Sequence, residues 1–293
     1  MCSYLKKNLI LGILILGTSL LFAQRPVNYD SPEYEYNLAV ELLQKEKYGS
    51  AQQYFKYVYE HTHDKQQDIK SNSYFYMGIC AAQLYNEDAI FLLKDFIRHY
   101  PVHSYVPEAY YHLGKFYFYK RQYKKVLDSF SQIDERNVRP TEMAEYRFKL
   151  GYSYFATGDS YEAKYHLNQA RLEEGEYQLR AIYYLAHIAY EEQNYEPALQ
   201  DFLLLKDEPE YQNVVPYYIV QIYFLQKRYE ELIAVAPPLF EKTTDKNKSD
   251  IARSLALAYY NLGMYKNAEE YFDFYLNDKN AQPDRKDNFA AGY

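Results

Sequence analysis

Histidine and cysteine often carry catalysis or bind metals, and this chain of 293 residues has 7 of the former and 2 of the latter. The histidines cluster twice, as His61-Thr62-His63-Asp64 and as His99-Tyr100-Pro101-Val102-His103. The second cluster spans a proline, so its four-residue interval does not place both rings on one helical face. We interpret both clusters as solvated loops and predict no metal site.

Signatures of catalysis are missing from the sequence as a whole. It contains no nucleophile elbow, no glycine-rich phosphate loop, no paired cysteines and no His-Glu metal motif. We interpret Cys80 as a small buried hydrophobic residue on a helix. The sequence therefore predicts no catalytic residue, no cofactor and no enzymatic activity.

The aromatic composition is unusual, because the chain has 39 tyrosines and no tryptophan. A proposed architecture must therefore give tyrosine side chains a regular place. A tyrosine ring combines a rigid apolar body with a polar tip, which suits recognition of a partner segment at low entropic cost. Such rings need a regular framework to hold them. The framework is visible as a repeat.

The repeat has the order aromatic, two residues, Leu or Met, then Gly or Ala, as in Tyr74-x-x-Met77-Gly78 and Tyr110-x-x-Leu113-Gly114. We call the last position of this pattern, where Gly or Ala usually stands, the anchor. The anchor recurs at intervals of 34–39 residues, at positions 39, 78, 114, 151, 186, 220 and 256. Near twelve residues later comes a second small residue, followed four residues on by a large apolar one, as in Ala163 and Leu167. This pattern predicts helix hairpins in which the two small residues face each other, and which bury their apolar faces by stacking.

Prolines agree with this interpretation. Pro32, Pro107 and Pro216 are placed to open first helices, where a missing N–H costs nothing. Pro237-Pro238 falls inside a second helix, where we expect a break or kink. Four others are expected in the connections after second helices: Pro101, Pro140, Pro209 and Pro283.

Across residues 32–293 the pattern resembles the tetratricopeptide repeat (TPR) family. The resemblance implies an all-α, right-handed α-solenoid of about seven hairpins plus a truncated eighth first helix, with a concave face that binds protein segments. The expected pairs are 32–65, 71–102, 107–139, 144–174, 179–210, 214–244 and 249–280, with an incomplete one at 285–293.

The resemblance also implies which side chains line the concave groove. With the anchor taken as position eight, they occupy positions five, nine and twelve of the first helices. The alternative is that the rings pack adjacent first helices together. The row at position nine is mixed and weakly charged, which favours an amphipathic or aromatic-anchored partner over a carboxylate held by a basic clamp. The groove candidates are Tyr36, Phe75, Tyr111, Lys115, Phe118, Phe148, Tyr152, Phe155, Tyr183, His187, Tyr190, Tyr217, Gln221, Phe224, Arg253 and Tyr260.

The N-terminus reads as a secretory signal at residues 1–23, followed by a linker at 24–31. Lys6 and Lys7 precede an apolar run too short to span a bilayer, and Ala23 offers a cleavage site. Cys2 precedes that run, which disfavours a lipoprotein. We expect export to the periplasm of a Gram-negative-type bacterium, with no stable membrane span after cleavage.

Charge excludes one class of partner. Removal of residues 1–23 takes away two lysines and no acid, so the net charge moves from −7 to −9. An acidic chain lacks the basic surface that neutralises phosphates, and we expect no nucleic-acid partner.

We therefore expect a periplasmic scaffold or adaptor for a protein partner in envelope assembly, secretion or division. It would be similar to exported repeat proteins associated with the Tol–Pal system or with outer-membrane β-barrel assembly. One alternative is a groove that binds peptidoglycan or another polysaccharide. A second alternative is the N-terminal repeat region of a larger protein, because residues 289–293 read as the middle of a further first helix.

Overall fold

The computed structural model describes residues 31–63, 66–243, 247–279 and 281–292. Within those ranges the chain forms helices and connecting turns and no strand. The predicted signal at 1–23 and nearly all of the linker at 24–31 lie outside the described residues. The all-α prediction is confirmed for the part of the chain that the structure describes.

Contacts between Cα atoms divide the chain into two compact units, the first ending at Val138 and the second beginning at Arg139. The described residues of the first unit form three helix pairs followed by a short 3-10 helix at Glu135–Asn137. The helices are α1 Pro32–Gln44, α2 Tyr48–His61, α3 Gln67–Gln83, α4 Asp88–His99, α5 Val106–Tyr119 and α6 Tyr123–Phe130. The second pair thus begins at Gln67, four residues before its predicted start at residue 71. The added residues are mostly polar and show no helical periodicity of apolar side chains, so the sequence pattern did not include them.

The second unit contains four further pairs and one more helix among its described residues. Short 3-10 helices at Pro140–Glu142 and Pro209–Tyr211 precede two of its first helices. The α-helices are α7 Met143–Thr157, α8 Ser160–Ala170, α9 Glu176–Glu191, α10 Tyr195–Leu205, α11 Val215–Leu225, α12 Tyr229–Lys242, α13 Asn247–Asn261, α14 Tyr265–Leu276 and α15 Arg285–Ala291.

The turn inside each pair is closed by the same cap. At the end of α1 the Glu46 N–H donates to the Leu43 carbonyl and the Lys47 N–H to the Leu42 carbonyl, both at 2.9 Å. This two-bond cap satisfies carbonyls at the helix end and needs one residue in the left-handed conformation. In the seven such turns of the described chain, the left-handed residues are Glu46, Tyr85, Arg121, Gly158, Gln193, Lys227 and Gly263.

Close packing within a pair depends on the anchor residue. A Cβ added to Gly114 would lie 2.2 Å from Cε1 of Phe130, and one added to Gly151 would lie 2.8 Å from Cγ of Leu167. The anchor therefore faces the large residue of the second helix, whereas we predicted that it faces the second small one. The two positions of the second helix lie about one turn apart on the same face, and the larger side chain reaches the anchor.

The predicted proline positions are confirmed, but the break expected at one of them does not occur. Pro32, Pro107 and Pro216 lie in the first turns of α1, α5 and α11. Helix α12 is continuous across Pro237 and Pro238, so the predicted break is wrong, whereas a kink at these residues stays a prediction. The buried side chains around the prolines, at Ala236, Leu239 and Phe240, hold the helix in place despite the lost donors.

Consecutive first helices pack against one another more closely than consecutive second helices do, except for α9 and α11, whose backbones make few contacts. In the first unit α1 packs against α3 and α3 against α5, and in the second unit α7 packs against α9 and α11 against α13. Consecutive second helices within either unit make hardly any such contact among the described residues. The first helices therefore form the inner layer of each unit, and the second helices form the outer layer.

Candidate functional site

Three of the predicted groove rings are buried. Phe75 is 0% exposed, Tyr111 is 3% exposed and Phe148 is 4% exposed. Their rings pack on others in the core, for example Tyr111 on Phe130 with centroids 6.1 Å apart. We correct the prediction for these three side chains, because a partner cannot touch them without unpacking the helix pairs.

Four of the five rings at position twelve pack against the second helix of their own pair. A tyrosine opens the second helix of most pairs, and it meets the position-twelve ring of the preceding first helix. The pairs and their centroid distances are Phe118 with Tyr123 at 5.8 Å, Tyr190 with Tyr195 at 5.9 Å, Phe224 with Tyr229 at 6.0 Å and Tyr260 with Tyr265 at 5.5 Å. Tyr190 also packs against Tyr218 of the next first helix, with centroids 5.1 Å apart. These four rings support the hairpins and keep only part of their surface for a ligand.

Phe155 is the position-twelve ring whose second helix does not open with a tyrosine. Its pair has Ser160 where the others place the opening tyrosine. Its ring instead reaches the next first helix, with centroid distances of 5.4 Å to Tyr184 and 5.7 Å to His187. The ring is half-buried, so part of it faces solvent on the inner layer of the second unit.

Phe155 belongs to a continuous row of rings that crosses three consecutive first helices, α7, α9 and α11. Tyr152 meets Tyr184 with centroids 4.7 Å apart, and His187 meets Tyr218 with centroids 5.6 Å apart. All of these side chains are half-buried. We call Tyr152, Phe155, Tyr184, His187 and Tyr218 the aromatic ladder.

The sequence prediction missed two members of the ladder. Tyr184 and Tyr218 occupy position six of the fifth and sixth repeats, a position outside the groove candidates. Tyr76 stands at the same position of the second repeat, so the recurrence was visible in the sequence. In the first unit Tyr76 contacts Phe55 and Tyr105, and its hydroxyl lies 3.2 Å from that of Tyr105.

The ladder carries hydroxyl and imidazole groups as well as ring faces. Burial, reinforced by the neighbouring Tyr218, raises the pKa of Tyr183, and the two hydroxyls share a hydrogen bond. Nδ1 of His187 is buried without a hydrogen-bond partner in the described part of the chain, and it lies 3.6 Å from Oε1 of Glu191. The ladder thus offers ring faces together with hydroxyl and imidazole groups, which is a binding chemistry.

The remaining predicted groove residues contact neighbours within their own unit. Tyr36 packs edge-on against Phe55 at 5.9 Å, and Tyr217 packs against Tyr218 at 5.4 Å. Nζ of Lys115 lies 5.2 Å from the centroid of the Tyr111 ring.

Two other candidates join repeats together. Nε2 of Gln221 donates to Oγ of Ser254 at 2.9 Å, which connects α11 to α13. Arg253 pairs with the fully buried Asp287 through Nε at 3.0 Å, and so connects α13 to α15. We correct the prediction for Arg253, because its guanidinium is engaged in this clamp.

The histidine clusters and Cys80 take structural positions. His61 stacks on Tyr57 with centroids 4.1 Å apart, whereas His103 packs against Phe96. Among the described residues there is no group of three or more His, Cys, Asp or Glu that could hold a metal ion. Cys80 is fully buried, as predicted, and burial raises the pKa of its thiol to about 12, which keeps the thiol protonated at neutral pH.

Comparisons with known proteins identify the fold. No family model matches the sequence, and no curated protein matches it. The structure is similar to the C-terminal part of a TPR repeat-containing protein from Cytophaga hutchinsonii, with 15% identity and a TM-score of 0.58 over 88% of this chain and 100% of that chain. It is also similar to the apo form of RapI, with 18% identity and a TM-score of 0.51 over 89% of this chain and 76% of that one.

The fold is therefore that of an all-α repeat protein, similar to solved structures of TPR type. No helix among the described residues is long and apolar enough to cross a membrane.

Proposed function

We propose that this protein is an interaction scaffold that holds a segment of a partner protein on the aromatic ladder. The observation that carries the proposal is the continuity of the ladder over α7, α9 and α11, with ring centroids 4.7–5.7 Å apart from Tyr152 to Tyr218. Rigid aromatic groups that are already in place bind with little entropic cost and are enriched among the residues that dominate binding energies.

The chemistry of the ladder favours an amphipathic segment. Its ring faces provide apolar contact for aliphatic or aromatic anchors, while the tyrosine hydroxyls and the His187 imidazole can bond to polar groups beside those anchors. Half-buried rings need no large rearrangement to receive such a segment. The likeness of the fold to TPR-type structures agrees with this role.

We also propose that the protein is exported and works in the periplasm, as a scaffold in envelope assembly, secretion or division. The support is the sequence of residues 1–23, which has the charged start, short apolar run and small residue of a cleaved signal. N-terminal sequencing of the protein from a periplasmic fraction should give a mature chain that starts at Gln24. An uncleaved chain in the cytoplasmic fraction would contradict export and leave the ladder proposal standing.

Site-specific photo-crosslinking tests the ladder. A benzophenone amino acid at position 155 should form adducts with one segment of one partner protein in the producing cells, as identified by mass spectrometry. The same probe at Tyr161, which is 79% exposed on the outer helix α8, serves as the control and should not capture that segment. Equal capture at both positions, or adducts with glycan instead of protein, would refute the proposal.

A pair of variants checks the energetics. We expect Phe155→Ser combined with Tyr184→Ser to weaken binding of the captured segment at least roughly tenfold, since aromatic anchors typically contribute most of the binding energy. The matched control, Tyr161→Ser with Tyr165→Ser, removes two exposed rings from α8 and should leave the affinity unchanged. Circular dichroism should show the same helix content in both variants, and calorimetry should measure the affinities.

A further inference from the structure

A second surface of interest lies on the outer side of the first unit. A cleft of about 490 Å³ opens between α4 and α6, with α5 as its floor. Apolar groups and tyrosine rings form its walls, and cations stand at its edges. The lining residues are Lys94, Ile97, Arg98, Tyr110, Leu113, Tyr117, Lys125, Asp128 and Ser129.

Two lysines of the cleft share one ring. Nζ of Lys94, from α4, lies 5.8 Å from the centroid of the Tyr117 ring, and Nζ of Lys125, from α6, lies 5.3 Å from it. Neither lysine has an ion-pair partner among the described residues, whereas Arg98 is paired with Asp95. Two unneutralised ammonium groups around one ring repel each other, and an anion between them would relieve that repulsion.

Cationic charge is concentrated in this part of the sequence. No Asp or Glu occurs between positions 109 and 127, although the whole chain carries a net charge of −7. Lys120, in the turn after α5, forms an ion pair with Glu87. Asp128 is the one carboxylate among the residues that line the cleft. The basic residues of the segment are Lys115, Lys120, Arg121, Lys124 and Lys125.

The basic cleft is continued by a second one along α4, which is lined by Ile90 and Phe91 and by charged side chains that include Glu87 and Asp95. This second cleft of about 590 Å³ shares Lys94 and Arg98 with the first, and Phe91 in its wall is 64% exposed. The two clefts together offer space for more than one side chain of a ligand. They lie on α4, α5 and α6, within the first unit, and are separate from the aromatic ladder of the second unit.

We propose that this outer cleft docks an acidic peptide segment of a partner protein. One apolar side chain of the segment packs against the half-buried Ile97 and Tyr110, and carboxylates on either side of it meet Lys94 and Lys125. Two features of the cleft identify the occupant. Its lysines are complementary to acidic side chains, and its apolar walls between two helices form a recess that can receive a single apolar side chain. A flat anionic surface such as a lipid bilayer would reach the lysines and leave the recess empty.

Binding to a peptide array tests the proposal. The probes are octapeptides with a central Leu or Phe flanked by Asp and Glu, next to matched peptides in which Ser and Asn replace the acids. We expect the full chain to retain a subset of the acidic peptides and none of the neutral ones. The variant Lys94→Gln with Lys125→Gln should lose roughly tenfold or more in affinity for those peptides, because charge-assisted bonds are lost.

A charge-matched variant distinguishes the cleft from general attraction. Lys47→Gln with Lys56→Gln removes two exposed lysines from the first helix pair and changes the net charge equally. It should bind the acidic peptides like the unchanged chain. Equal losses in both variants, or no preference for acidic over neutral peptides, would overturn the proposal.

Anionic lipid is checked in parallel. Sedimentation with phosphatidylglycerol vesicles should show no binding that depends on Lys94 and Lys125. Vesicle binding that the Lys94→Gln, Lys125→Gln variant abolishes, in the absence of peptide selectivity, would assign these lysines to a lipid surface and refute the peptide. All four lysines are exposed, so melting temperatures should confirm that each variant is folded.

Discussion

Glycine at the anchor position lets a bulky side chain lie directly on the backbone of the first helix. Gly78, Gly114 and Gly151 each meet the large residue of the second helix at distances that leave little or no room for a Cβ. Gly49 is different, since an added Cβ there would meet nothing within 4 Å. The same substitution should therefore have opposite effects at different glycines.

We expect Gly114→Ala to lower the free energy of unfolding by roughly 1–3 kcal/mol, because Phe130 is 1% exposed and its ring cannot move aside freely. Gly49→Ala, in the first turn of α2, should raise it by up to about 1 kcal/mol through helix propensity. Urea unfolding followed by circular dichroism measures both. A neutral or stabilising Gly114→Ala would show that the anchor does not need to be glycine.

At the scale of the helix pair, the turn between the two helices has the same hydrogen-bonded cap in every described pair. Five of its seven left-handed positions in the described chain carry side chains other than glycine, which favour that conformation poorly. Lys227 is one of them, with φ 59°, and Gly263 fills the equivalent position with φ 76°. The turns thus contain backbone strain that glycine would remove.

Lys227→Gly should raise the free energy of unfolding by roughly 0.5–1 kcal/mol. The backbone strain that it removes from the folded state costs more than the conformational entropy that glycine adds to the unfolded chain. The reverse change, Gly263→Ala, should destabilise it by about 1 kcal/mol. Differential scanning calorimetry should show the two melting temperatures moving in opposite directions. Destabilisation by Lys227→Gly would mean that the lysine side chain contributes contacts that outweigh the strain.

At the scale of the whole molecule, tyrosine supplies much of the packing within each unit. Burial, with the charge of Glu210, raises the pKa of Tyr211 to about 12, and burial is the main reason that the pKa values of Tyr76, Tyr177 and Tyr183 are raised as well. The folded chain therefore keeps these protons at a pH where the unfolded chain releases them near pH 10.

The sign of the pH dependence follows from these shifts. Stability due to the buried tyrosines is fully present below about pH 10 and is lost as the pH rises toward 12 and beyond. Chemical denaturation at several pH values should show a free energy of unfolding that falls from about pH 10, together with the appearance of tyrosinate absorbance. Tyr211→Phe should make this fall shallower, whereas Tyr161→Phe, at a ring 79% exposed, should not.

Much of the architecture could be predicted from the sequence, because local rules decide it. The interval between small residues, the prolines in first turns and the helix-forming stretches indicated stacked helix pairs, and the structure contains them. Fully buried Ala39, Ala51 and Ala163 stand where the pattern required small side chains. The period of an α-helix brings such residues to one face of the helix, whichever other helices pack against it.

The tertiary structure alone decided which rings are available to a partner. Phe75 and Phe155 both satisfied the sequence pattern, yet Phe75 is fully buried while Phe155 is half-buried. The Phe96 and Tyr105 rings pack against Phe75. Tyr184 and Tyr218 joined the ladder through contacts between repeats. The exposure of a ring depends on side chains from neighbouring helices, which the period of one helix does not specify.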